Sequence, residues 1–152
     1  MKRGFTIIEI LLVLAILSIA VTFVTVSFGK LNASRVLEKE TALTLSILDE
    51  ARALTLSSKE DSSYGVHFED SVIVLFKGDV YSSSDPDNVT TSLDPRVGIR
   101  DIAFLGGGVE VFFKRLTGDT DEPGTLEIFL RSSSDDARTV EITVTGIAQV
   151  VL

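Results

Sequence analysis

From Phe5 to Phe28 the chain reads FTIIEILLVLAILSIAVTFVTVSF, 24 residues with a single charge, Glu9. No other feature narrows the possible folds as much. A helix of that length rises about 36 Å, enough to cross a hydrocarbon core of about 30 Å. Lys2 and Arg3 stand immediately before the run. The positive-inside rule keeps that end in the cytoplasm and sends the rest of the chain across the membrane. Elsewhere the chain is rich in charge: 24% of all residues are charged, yet the mean hydropathy is +0.35. The apolar residues are therefore concentrated in this run.

A cleavable secretory signal needs a shorter apolar core that ends in a small-residue cleavage site. This run is too long for that and carries a carboxylate inside it. A plain membrane anchor accounts for the length and for Lys2-Arg3, but not for Glu9. By insertion scales an acid at the bilayer centre costs about 2.5–3.5 kcal/mol, and less near the interface. Such a residue marks a functional site whose natural partner is a positive charge.

The stretch Lys2-Arg3-Gly4-Phe5-Thr6-Ile7-Ile8-Glu9 resembles the prepilin peptidase motif of type IV pilins and type II secretion pseudopilins. The resemblance implies a short basic leader, residues 1–4, cut between Gly4 and Phe5. It implies N-methylation of Phe5 and an assembly role for Glu9, whose carboxylate would pair with the Phe5 amine of a neighbouring subunit. The physical chemistry agrees. Gly4 offers no side chain to obstruct a peptidase. A methylated amine stays protonated, and in low dielectric a paired carboxylate and amine are far better off than two isolated charges.

Past Gly29-Lys30 the pattern changes. Over 31–57, Val36, Leu43, Ile47, Ala51 and Leu54 recur at mostly +4 and +3 steps, with Leu37 and Leu48 beside them. Arg35, Glu38, Lys39, Glu40, Asp49, Glu50 and Arg52 fall largely elsewhere, which predicts an amphipathic helix. Val21-Thr22-Phe23-Val24-Thr25-Val26 is mostly β-branched and a weak helix former. No Pro interrupts the run, whereas many major pilins carry one here.

From about residue 63 the chain reads as β. Segments 64–68 and 72–76 flank Glu69-Asp70-Ser71 as a hairpin. Residues 82–95, polar and holding Pro86 and Pro95, read as a long loop. Strands are expected at 97–104, 109–116, 125–131 and 138–145, with 147–152 extending a last one. Their apolar–polar alternation predicts half-buried antiparallel strands. The ending Val140-Glu141-Ile142-Thr143-Val144-Thr145-Gly146-Ile147 is similar to that of the GspH/FimT group of minor pseudopilins.

The expected fold is α+β and pilin-like. A long N-terminal helix, transmembrane in one half and amphipathic in the other, packs on an antiparallel β-sheet domain. The expected segments are the leader 1–4, a transmembrane or filament-core helix 5–28, an amphipathic half 29–58 and a β-rich domain 59–152.

Composition excludes several kinds of chemistry. There is no Cys, so no disulfide framework and no thiolate nucleophile. The only histidine, His67, stands mid-strand and cannot form a multi-His metal site. No paired acids, phosphate loop or triad order emerges, and Gly106-Gly107-Gly108 lacks the following helix a phosphate site needs. The chain is not expected to be an enzyme or to need a cofactor. Asp119, Asp121 and Glu122 form a weak calcium candidate, since hard cations favour oxygen-rich loops. Residues 30–152 hold 12 basic and 21 acidic residues, a net charge of −9. That opposes general nucleic-acid binding, which rests on clustered Lys and Arg such as Lys114, Arg115, Arg131 and Arg138 would have to supply.

The resemblance thus implies a minor pilin or pseudopilin, a structural subunit of a type IV pilus or type II secretion pseudopilus. Its partners would be other such subunits, prepilin peptidase, an inner-membrane assembly platform and, before assembly, membrane lipid. It would sit in the inner membrane as a single-pass protein with its C-terminal domain outside the cytoplasm. After assembly it would lie in a filament in the periplasm or at the cell surface. The alternatives are a DNA-uptake receptor subunit of a competence pilus, and a single-pass membrane protein with an unrelated ligand-binding β domain.

Overall fold

A computed structural model describes residues 6–151, and for residues 22–31 the helical backbone alone. The chain divides into two compact units, Met1–Arg35 and Val36–Leu152. Helix α1, Ile7–Leu56, supplies all the described structure of the first unit and enters the second. The helix is unbroken through 21–29, where the sequence permits softening. A single Gly costs a helix interior about 1 kcal/mol relative to Ala, too little to end one of this length.

In the second unit α1 is followed by a 3₁₀ turn at Lys59–Asp61 and eight strands: β1 Tyr64–Phe68, β2 Val72–Lys77, β3 Val89–Ser92, β4 Val97–Phe104, β5 Glu110–Phe112, β6 Gly124–Leu130, β7 Ser133–Ile142 and β8 Ala148–Val151. They form two antiparallel sheets of four, ordered β3-β2-β1-β5 and β4-β6-β7-β8. This is the expected α+β architecture, with the helix packed on antiparallel sheet.

The core follows from the two periodicities. Along α1 the buried positions are Val36, Leu37, Glu40, Thr41, Thr44, Ile47, Leu48, Ala51 and Thr55. Their spacing is that of one helical stripe, but the stripe is not purely apolar. Leu43 and Leu54, expected inside, are only half-buried, and Glu40, expected outside, is buried. Angular position on the helix, set by 3.6 residues per turn, overrides residue type here. The strands contribute Val66 and Phe68, Ile73 and Leu75, Val97 and Ile99, Leu126, Ile128 and Leu130, and Val140 and Ile142.

The buried threonines are satisfied locally. Thr41, Thr44 and Thr55 each donate to the carbonyl four residues back, at 2.7, 2.9 and 2.9 Å. Thr55 does more: its Oγ1 accepts the Tyr64 N–H at 2.9 Å, joining the end of α1 to the start of β1. Thr55→Val keeps the shape but orphans that buried N–H. We expect a loss of about 1–3 kcal/mol, read from the denaturant midpoint of the full chain in detergent.

Three strand boundaries depart from the pattern. The expected loop 82–95 contains β3, because Val89-Thr90-Thr91 finds β2 to pair with (Val74 opposite Thr90). Cross-strand pairing outweighs a polar neighbourhood. The strand expected at 109–116 keeps regular pairing only as β5, because the chain turns at Leu116, with φ +72°. Of the expected connection 132–137, residues 133–137 lie within β7, since Leu130 already pairs with Ser133 and leaves a two-residue turn. Strand β2 is buried on both faces rather than one (Ile73, Val74, Leu75 and Phe76). The segment after it folds back over its outer side and supplies the second cover.

Candidate functional site: the N-terminal motif

Three residues carry the sequence-predicted site. Gly4 and Phe5 lie outside the described residues. Glu9 lies in the first turn of α1, where the exposed N–H groups of the helix end favour a negative charge. Thr6 begins this turn. Its carbonyl accepts the Ile10 N–H at 3.2 Å, and its Oγ1 accepts the Glu9 N–H at 3.3 Å. Thr6-Ile7-Ile8-Glu9 thus has the sequence of a capping box, with the threonine as N-cap. In the sequence Thr6 stands out only as part of the motif. The Thr-x-x-Glu spacing before an apolar run was the signal that could have found the cap.

Every described residue from Thr6 to Val21 is exposed, Ile7 at 81% and Leu12 at 59% among them. A continuous apolar surface of this kind demands lipid or other helices. Glu9 sits on it as a carboxylate at the N-terminal end. Among the described residues no helix is long and apolar enough to cross a membrane. Side-chain description of the apolar run stops at Val21.

The other predicted groups are engaged elsewhere. Asp121 pairs with Lys114 at 2.6 Å, and Glu122 accepts the Thr120 hydroxyl at 3.3 Å. The Asp119 carbonyl takes the Lys114 N–H at 2.8 Å. Among the described residues no three His, Asp or Glu side chains gather as a metal site. Of the basic residues, Arg115 pairs with Asp61, Arg131 with Asp70 at 2.5 Å and Lys114 with Asp121. Arg138 donates to the Ala137 carbonyl. Three of these four cations are thus paired with carboxylates.

Two features were not legible beforehand. Arg96 grips Asp94 through two side-chain hydrogen bonds, at 2.9 and 2.8 Å. These, with the Arg96 N–H, hold the Asp94 carboxyl well below the usual carboxylate range. The pair is open to solvent and adds little to stability. Glu40 is buried, with Oε1 on Lys39 at 3.1 Å and Oε2 without a hydrogen-bond partner.

The fold is that of the minor pilins and pseudopilins, an N-terminal helix on antiparallel sheets, and the chain opens on a methylation motif. The prokaryotic N-terminal methylation motif matches residues 1–25. Among solved structures the chain is similar to the type IV minor pilin FimU of Pseudomonas aeruginosa PAO1, with a TM-score of 0.58 at 14% identity. That alignment covers 76% of this chain and 93% of that one. It is also similar to the minor pseudopilin EpsH of the type 2 secretion system of Vibrio cholerae, with a TM-score of 0.56 at 15% identity, covering 76% and 95% of the two chains. No curated protein sequence matches significantly.

Proposed function

We propose that this chain is a minor pilin or pseudopilin, a non-enzymatic subunit that prepilin peptidase processes and that assembles into a filament through its N-terminal helix. The observation that carries this reading is a coincidence of features in one chain. A methylation motif at residues 1–25 stands at the head of a pilin-like fold, and within it the apolar residues from Ile7 to Val21 are exposed, with Glu9 in the first turn of α1. The leader is 1–4, residues 5–28 cross the inner membrane before assembly and pack against other subunits afterwards, and 29–58 and 59–152 form the exported part. The sequence supports the crossing through its 24-residue run and the flanking Lys2-Arg3. Extraction from the membrane falls to the inner-membrane platform, because lipid must be exchanged for neighbouring helices. A DNA-uptake role draws no support from the geometry, since Lys114, Arg115 and Arg131 are already paired with carboxylates.

Intact mass of the membrane-extracted protein tests the processing. Loss of Met1–Gly4 and gain of one methyl on Phe5 are expected. Gly4→Val puts a branched side chain at the scissile bond and should leave the chain full-length. An uncleaved wild-type product in cells with active peptidase would end the pilin reading.

A further inference from the structure

A sheet edge offers unpaired N–H and C=O groups to any other strand, so folds protect their edges. Three of the four edges here are protected. Strand β4 is bulged between Arg100 and Ala103, and its Ile99 N–H is taken by the Asp70 carbonyl at 2.9 Å. Strand β5 has only three residues. Strand β3 is mostly hydroxylated and is bracketed by Pro86-Asp87 and Asp94-Pro95. Strand β8, Ala148-Gln149-Val150-Val151, has none of these devices. Residues 142–152 hold no charge and no Pro, the longest such stretch after residue 30.

The direction of the free groups follows from the register. The Thr143 N–H donates to the Ile147 carbonyl at 3.0 Å, and pairing then runs from Ile142 opposite Ala148 to Thr139 opposite Val151. In an antiparallel pair, successive residues turn their main-chain groups alternately toward the partner and away. Ile147, Gln149 and Val151 therefore turn theirs to β7, and Ala148 and Val150 turn theirs outward. Strand β8 pairs with β7 alone, so among the described residues no strand meets these outward groups. The side chains around them are apolar and open: Ile147 is 50% exposed, Val150 38% and Val151 41%. Ala148 and Val150 share a face with the buried Val140 and Ile142, and Ile147, Gln149 and Val151 lie on the other.

We propose that β8 pairs antiparallel with β8 of a second copy of this chain, about a two-fold axis at Gln149. The strand's own spacing selects this register. Ala148 of each copy then stands opposite Val150 of the other, and each such pair exchanges two N–H···O bonds between the outward groups. On one face a small side chain meets a larger one, Ala148 against Val150. On the other, Val151 meets Ile147 of the second copy, so the open apolar side chains cover each other. Charge favours this approach over others. Residues 30–152 carry a net −9 and repel a second copy, but β8 brings no charge to the contact. The nearest acid, Glu141, accepts the Gln149 Nε2–H at 2.8 Å. One short strand per copy falls well below the about 800 Å² per partner of a stable interface, so the dimer is weak and concentration-dependent. The inference does not depend on the filament reading.

The test uses the full chain in detergent. Because the chain has no Cys, one introduced thiol reports the register. At the axis Gln149 faces its own copy in a non-hydrogen-bonded pair, with Cα atoms about 4.5 Å apart, within disulfide reach. Under mild oxidation Gln149→Cys should form disulfide dimers roughly tenfold faster than Val151→Cys, whose thiols lie about 13 Å apart in this register. A mixture of Ile147→Cys and Val151→Cys chains should give the mixed dimer in preference to either homodimer. Val150→Pro removes an outward N–H and leaves the pairing with β7 alone, so it should bring Gln149→Cys down to the Val151→Cys rate. Val150→Lys puts a charge on the edge with the backbone unchanged and should do the same. Equal rates for Gln149→Cys and Val151→Cys, or a Gln149→Cys rate that both Val150 variants leave unchanged, would overturn the pairing. Disulfides that Gln149→Cys forms in cells only with other proteins would overturn it too, since the edge would then hold a different occupant.

Discussion

Glu9→Ala is expected to leave cleavage after Gly4 intact while sharply lowering the fraction of subunit found in filaments. The proposed scissile bond is four residues from Glu9 in sequence, so the peptidase meets an unchanged Gly4-Phe5. Assembly is different. On the proposed reading, the Phe5 amine enters a bundle of apolar helices, and without Glu9 it enters unpaired. Breaking one side of a buried ion pair costs about 3–5 kcal/mol, a factor of roughly a hundred to a few thousand in an association constant. Glu9→Asp should be intermediate, since the charge remains and the reach shortens by one methylene. Glu9→Gln should fall near Ala if charge decides the outcome. The Thr6–Glu9 backbone cap survives all three, because it uses the Glu9 N–H and not its side chain. What Ala and Gln do lose at the helix start is a carboxylate in the first turn, about 0.3–1 kcal/mol, well below the pairing term. The measurement is tagged subunit in sheared filaments relative to the membrane pool. Wild-type incorporation of Glu9→Ala would remove the pairing role and leave the segment as an anchor.

The second large effect is on folding. Gly146 stands in the turn between β7 and β8 with φ +72°, where an L side chain is strained. It also faces Gly118 closely: a Cβ at 146 would lie 1.9 Å from the Gly118 carbonyl oxygen and 3.1 Å from the Phe113 ring. That same oxygen accepts Arg52 Nε at 3.2 Å, so the contact ties α1, the β5–β6 loop and the β7–β8 turn together. Relief of the clash must move backbone, not a flexible side chain. Gly146→Ala should therefore lose about 3 kcal/mol or more, the conformational cost of about 1–2 kcal/mol plus the displaced contact. Gly78→Ala provides the comparison. Its φ is +104°, but a Cβ there meets nothing within 4 Å. It should cost only about 1–2 kcal/mol, for conformation alone. Equal denaturant midpoints for the two variants would show that the approach to Gly118 carries no weight.

The prominence of Gly146 was half-legible. The run Val144-Thr145-Gly146-Ile147 announces a turn, but nothing in it announces Gly118, 28 positions earlier in the chain. The same division holds at the N-terminus. The basic residues, Gly4, Phe5 and Glu9 form a local motif, readable because on the proposed reading its chemistry is done on a linear stretch by a peptidase and by neighbouring subunits. Glu40 and Leu43 were misjudged for the opposite reason. Hydropathy assigns Leu inward and Glu outward, and it is the angular position of each on α1 that decides. Strand β3 was missed because Val89-Thr90-Thr91 has little to bury, and its order comes from β2 beside it.

Local pattern along the chain is enough to give the apolar run and its single acid, the switch to period-two alternation after residue 63, and the lack of thiols and of more than one histidine. Each of these is a property of neighbours along the chain, where periodicity and composition act directly. That the strands form two sheets rather than one is a matter of packing in three dimensions. So is the placing of Thr55 against Tyr64, of Gly146 against Gly118, and of His67 between Glu69, Glu110 and Tyr81. The longest of these separations, Glu110 from His67, is 43 residues. What brings them together is strand register and the burial of both faces of β2, which no local pattern encodes.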